Sequence, residues 1–144
     1  MSGPKPTLQA FLLADHVYMD AGTGKKIVAG IFFNVGTGKM PFTFPGCWAY
    51  ACLIGVPSKF TLQLRLVDLS TQEAIAGSPV FTVEHPQSRL TPHEFMLQVP
   101  QIPFRHAGAY DFELVVDDEP LKGWRFTVTD HSAQGGKNAN HDEG

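Results

Sequence analysis

Every second residue of "FTLQLRLVD" (60–68) is apolar at its start: Phe60, Leu62, Leu64 and Leu66 share one side of an extended chain, and Thr61, Gln63 and Arg65 share the other. "YDFELVV" (110–116) repeats the pattern, with Tyr110, Phe112, Leu114 and Val116 against Asp111 and Glu113. A helix would instead collect its apolar residues at spacings of three and four. Two such segments each present one apolar face, and each face needs a second layer to cover it. Less regular apolar runs at 8–19, 26–33, 47–54, 80–84, 94–99 and 121–128 read as further strands. Turn signals separate them: Gly-Val-Pro-Ser at 55–58, Gly-Ser-Pro at 77–79, His-Pro at 85–86 and Asp-Asp-Glu-Pro at 117–120. Only "STQEAIAG" (70–77) suggests a single helical turn.

With 14 Gly and 11 Pro spread over 144 residues, and 43 % hydrophobic residues including 11 Phe, the chain suits short strands around one core. The expected fold is all-β: a two-sheet antiparallel sandwich, immunoglobulin-like, of about eight strands. One domain is expected over 1–129, followed by a polar tail, "DHSAQGGKNANHDEG" (130–144), expected to be disordered.

"GTGKKIVAGIFFNVGTGK" (22–39) carries Gly-Thr-Gly-Lys at both ends, which raises the question of a phosphate site. A P-loop needs a glycine five residues before the Gly-Lys pair and a hydroxyl after the lysine. Here Met19 and Phe33 stand at the first position, and Lys26 and Met40 at the last. The first copy is therefore expected to be a hairpin turn over 21–25, and the second the start of a loop. A single intervening strand would hold the two copies about 30 Å apart, too far to clasp one ligand.

A formal net charge of −3, with no basic cluster beyond Lys25 and Lys26, argues against a nucleic-acid partner. The start "MSGPKPTLQAFLLADH" lacks a leader-like apolar segment, and the chain has no apolar run of spanning length, so neither export nor a membrane partner is expected. Cys47 and Cys52, on one strand, would stand roughly 16 Å apart on opposite faces. They cannot bridge, and two reduced thiols fit a cytoplasmic protein.

His85 and His93 bracket one loop and, with Glu84 or Glu94, could hold a metal, although no close-spaced ligand motif supports it. His16 and Asp20 share a strand face, but no nucleophile can be assigned beside them. No catalytic, cofactor-binding or metal-ligating residue is assigned.

Segments 8–19 and 26–33 are apolar on both faces. Either the 34–46 loop covers the second face, or a partner does. "KMPFTFPGCW" and "PQIPFRH" add Phe42, Phe44, Phe104 and Arg105 at one end, which either recognise a partner or plug the core. The candidate interaction surface is thus Leu12, Tyr18, Val28, Phe32, Phe42, Phe44, Phe104 and Arg105.

The stretch "FLLADHVYMDAGTGKKIVAGIFFNV" (11–35), with "FTLQLRLVD" and "GAYDFELVVDDEPL", resembles a family of small uncharacterised bacterial proteins over roughly 8–128. Its marks are an opening strand near Leu-x-Ala-Asp, a Gly-rich turn, a second strand containing Gly, and a Gly-x-Tyr-x-Phe-x-Leu hairpin. The resemblance implies an immunoglobulin-like sandwich of unknown function and brings no catalytic residues. The expected function is non-enzymatic, a protein-interaction or accessory module acting through a protein partner or self-association. The alternative is a small-ligand or metal-binding module using loop 85–93 or the aromatics at 42–44 and 104–106.

Overall fold

The computed structural model describes residues 5–85 and 90–131, and the expected disordered tail lies outside them from residue 132 onward. Twelve strands are described: β1 (Thr7–Met19), β2 (Lys26–Ile31), β3 (Asn34–Thr37), β4 (Phe42–Phe44), β5 (Cys47–Ile54), β6 (Lys59–Asp68), β7 (Glu73–Gly77), β8 (Phe81–Glu84), β9 (His93–Val99), β10 (Ile102–Phe104), β11 (Gly108–Val116) and β12 (Glu119–Asp130). One antiparallel sheet runs β2-β1-β5-β9. A second runs β3-β12-β11-β6-β7, with β8 also on β6, and β4 and β10 make a two-stranded ribbon.

The all-β, mainly antiparallel expectation holds, and the residues of the alternating segments form the core. Phe60, Leu62, Leu64 and Leu66 of β6 and Tyr110, Phe112, Leu114 and Val116 of β11 are all buried. From the other sheet Phe11, Leu13, Ala49, Ala51 and Leu53 join the same cluster. Facing apolar sides from two sheets thus make a sandwich-like core, as period-two patterning requires.

Four strands escaped the sequence reading, each for a local reason. The segment expected to form a single turn divides instead: Asp68 binds the amides of Ser70 and Gln72 to make a turn, and Glu73–Gly77 then pairs with β6. β7 and β8 are one broken edge of β6, interrupted where Ser78 replaces ladder bonds, its Oγ accepting from Leu64 N at 3.0 Å. Pro79, which has no N–H to donate, follows immediately.

The segment between the two Gly-Thr-Gly-Lys copies is not one strand, which corrects the expectation of a single spacer. β2 ends at Ile31, Phe32 and Phe33 cross over, and β3 joins the other sheet parallel to β12. Trp124 Nε1 donates to Phe32 O at 3.1 Å, and the Phe33 ring stacks on Trp124 at 4.9 Å, pinning the crossover. The first copy is a hairpin turn as expected: Asp20 N donates to Lys25 O at 2.8 Å, and Gly24 takes φ +74°. The second is not simply a loop start, because Gly36 and Thr37 pair with Thr129 and Asp130. Asp130, placed in the tail by sequence, closes β12, and His131 N donates to Thr37 O.

Candidate functional site

The β1–β2 hairpin curls back over the outer face of its own sheet, and the register requires it. Lys26 pairs opposite Met19 on β1, while Glu94 lies opposite Cys52, whose partner on β1 is Ala10. Residues 10 and 19 of a straight strand stand about 30 Å apart. Yet Lys26 Nζ lies 2.8 Å from Glu94 Oε1. The gap closes only if the hairpin bends back; within β1 and β2 Gly30 alone takes a positive φ, +80°, and it lies against Asp15. This answers what covers the second apolar face. The covering element is the hairpin itself and not the 34–46 loop, whose strand β3 belongs to the opposite sheet.

Under the hairpin lies a small polar cluster. Tyr50 OH donates to Glu94 Oε2 while Lys26 binds the other oxygen, and Cys52 Sγ sits 3.9 Å from Gln9 Oε1. Lys26, then Tyr50, holds Glu94 below the usual carboxylate range, and burial followed by Glu94 pushes the Tyr50 phenol up. Burial, with Glu94 second, likewise raises the Cys52 thiol, and burial with Asp15 second pushes Cys47 to about 12. Neither thiol is a thiolate at neutral pH, so neither is an activated nucleophile.

The two faces of the hairpin differ in exposure, except at its tip, where Met19 opposite Lys26 is 55 % exposed. Val17 is buried and Val28 half-buried, on the side that carries Lys26 inward. The opposite side presents Tyr18 (51 % exposed), Ile27 (48 %) and Ile31 (47 %), with His16 stacked on Tyr18 at 5.6 Å. Tyr18 therefore sits on an exposed apolar ribbon as expected, whereas Val28 faces the protein. Leu12 is half-buried on the sheet's outer face opposite Tyr50. Phe32 packs on the core against Phe44 and Phe126. Ile27 and Ile31 were missed, although the apolar doubling of 26–33 was the signal that contained them.

At the aromatic end, Phe104 is fully buried and Phe44 nearly so, and Phe42 packs half-buried against them. These residues plug the sandwich, a correction to their place in the candidate surface. The β4–β10 pairing brings Phe42 opposite Phe104 and turns both segments inward. Arg105 is exposed and lines a cavity of about 210 Å³ with Asp68, Ile75, Pro103, His106 and Tyr110.

Beside that cavity, Asp68 accepts from Ser70 Oγ and from His106 Nε2, both at 2.8 Å, while His106 Nδ1 lies 2.9 Å from Ala107 O. The carboxylate stands between hydroxyl and imidazole, the reverse of the nucleophile–base–orienter order. A carboxylate and a carbonyl both only accept, so the two contacts to His106 are satisfied together only by the imidazolium. Ala107 O, then Asp68, raises the His106 pKa, and Ser70 first, with His106, lowers that of Asp68. The His106 contribution is complete below the ordinary imidazole pKa and fades as pH rises through its raised value. That of Asp68 is complete above the ordinary carboxylate pKa and fades as pH falls through its lowered value. The stability difference between wild type and His106→Ala is therefore expected to be largest near pH 5 and to shrink toward pH 9. Denaturant melts across that range check it, and equal differences at both ends would contradict the pairing.

His85 and His93, which bracket the loop at 85–93, come together with ring centres 3.9 Å apart. Part of that loop, residues 86–89, lies outside the described residues. Neither neighbouring glutamate joins the imidazoles as the sequence allowed: Glu94 is bound to Lys26 and Tyr50, and Glu84 pairs with Lys59. Among the described residues, no group of three or more His, Cys, Asp or Glu side chains gathers around one point.

These features define a class of protein: an all-β, two-sheet domain whose first hairpin is folded onto the outside of its own sheet. The chain belongs to a family of unknown function, DUF6941, whose model matches residues 9–129. The resemblance to an uncharacterised family is borne out to that extent. Among curated proteins no match is found. Among solved structures the chain is similar to a Pseudomonas fluorescens alkylpurine DNA glycosylase, AlkC, bound to DNA containing an abasic site analogue. The identity is 9 %, the TM-score 0.42, and the match covers 83 % of this chain and 30 % of the glycosylase. Set beside that finding, the exclusion of nucleic acid made from net charge is corrected: nucleic acid is no longer excluded. The physical reason is that nucleic-acid binding follows the local placement of Lys and Arg, which a whole-chain total does not report. At that TM-score the likeness carries no argument about what this chain binds. Among the described residues no helix is long and apolar enough to cross a membrane.

Proposed function

We propose that this protein works by contact and not by catalysis, as an immunoglobulin-like module that associates with a second copy of itself through the β1–β2 hairpin. One observation carries the reading: Tyr18, Ile27 and Ile31 lie exposed on a ribbon whose other face is already occupied by its own sheet. β2 is also the terminal strand of that sheet, so its outer backbone edge is open among the described residues. The one charged residue of β2, Lys26, stands at its first position and is neutralised by Glu94, so the apolar Ile27–Ile31 stretch is left as a template for pairing, and a two-fold axis lets β2 meet its own copy in antiparallel register. The ribbon's exposed side chains are largely uncharged, so a like surface meets it without charge mismatch. Two free, buried cysteines support a reducing, cytoplasmic setting. Tyr110 OH, donating to His106 O at 2.6 Å just before β11, is the bond of a tyrosine corner and supports the immunoglobulin-like reading.

Sedimentation at micromolar concentration tests the proposal. Wild type is expected to associate, and Ile27→Lys and Ile31→Lys each to weaken association at least tenfold with unchanged thermal stability. A wild type that stays monomeric at tens of micromolar, or an oligomer indifferent to both lysines, would overturn it.

A further inference from the structure

We propose that His85 and His93 form a bidentate site for a late first-row divalent metal ion of the zinc or copper type, placed where the two sheets meet at their edges. His85 Nε2 lies 2.9 Å from the carbonyl of Pro57, and a carbonyl accepts only, so the ring proton is on Nε2. In the neutral ring Nδ1 of His85 then carries a bare lone pair, and that atom is buried without a hydrogen-bond partner. Nε2 of His93, on the adjacent ring, is also buried and unpartnered. Orphaned buried polar atoms are costly, and two orphaned nitrogens on imidazoles whose ring centres stand 3.9 Å apart offer a donor set that a Lewis-acidic metal ion would relieve. A carbonyl that fixes the far nitrogen is the usual support of a metal-bound imidazole, because it sets the tautomer and aims the free lone pair.

The surroundings suit the same role. His85 is tethered a second time by its backbone N–H to Ser58 O, and its ring packs edge-on against Phe60. Burial, with His85 second, lowers the His93 imidazole pKa. Glu94 is held by Lys26 and Tyr50 on the outer face of the sheet, and Glu84 pairs with Lys59, leaving remaining coordination positions to water or to an incoming group. Imidazole donors prefer zinc, copper and nickel over the oxygen-seeking magnesium and calcium. Tetrahedral ligation at 2.0–2.1 Å would set the ring centres about 5 Å apart, so binding opens the pair by about 1 Å. Both residues flank strand ends, His85 following β8 and His93 opening β9, where such a shift disturbs the ladders least.

The test is titration of the full chain with zinc alone at pH 7.5, read by calorimetry and by long-range proton–nitrogen NMR of the imidazoles. One equivalent should bind, moving His85 Nδ1 and His93 Nε2 while His85 Nε2 stays protonated. Magnesium should move neither. His85→Ala and His93→Ala should each lose at least tenfold in affinity and lose the zinc-induced rise in Tm. The wild-type spectra decide the matter even if a variant folds poorly. Absence of binding, shifts confined to His16, His106 or His131, or a proton shared between the two rings with no response to zinc would overturn the site.

Discussion

Phe104→Ala is expected to destabilise the chain by about 3–5 kcal/mol, the range for truncating a buried phenylalanine that leaves a cavity. Phe104 is fully buried, and its ring meets Tyr110 at 4.8 Å, Phe126 at 6.1 Å and Phe44 at 6.3 Å, so three aromatic neighbours lose a partner together. A loss of that size is a large share of the roughly 5–15 kcal/mol that holds a domain folded. Urea unfolding checks it through the midpoint at constant slope. Were these phenylalanines a recognition patch, truncation would leave stability nearly unchanged and alter only binding. A loss below about 1 kcal/mol would return Phe104 to the surface.

Gly30→Ala is expected to cost about 2 kcal/mol and to lift the hairpin. At φ +80° an L-residue is strained, and the added Cβ would lie 2.5 Å from Asp15 Oδ2 and 2.9 Å from Asp15 Cγ. Gly38→Ala is the control, since a Cβ there meets nothing within 4 Å and no positive φ is required. That change should stay within about 0.5 kcal/mol. Denaturant midpoints compare the two, and hydrogen exchange across Lys26–Ile31 should quicken in Gly30→Ala alone. Equal stability of the two variants would mean that the bend at Asp15 and Gly30 does not hold the hairpin down.

The residues that misled the sequence reading share a physical cause. Val28 and Ile27 are equally apolar, and alternation alone says that they face opposite ways without saying which way is out. The choice is made by the curl of the hairpin, which depends on Lys26 reaching Glu94 across the sheet, a contact 68 positions apart in the chain. The aromatic end was ambiguous in the same manner. Phe44 and Phe104 become core residues because β4 pairs with β10, and strands of three residues leave almost no periodicity to detect. The histidine pair was visible as two residues bracketing a loop, but their approach, the tether to Pro57 and the removal of both glutamates are tertiary facts.

By itself the sequence determined the class of fold, because Phe60, Leu62, Leu64 and Leu66, like Tyr110, Phe112, Leu114 and Val116, can bury one face together only as strands under a second sheet. It also settled the turn at Gly22–Lys25, since local glycine conformations need no distant partner. Tertiary structure alone decided which face of the first hairpin meets water, where 26–39 changes sheets, and which imidazole nitrogens are left without a hydrogen-bond partner. Those outcomes turn on contacts between distant residues, and no local pattern encodes them.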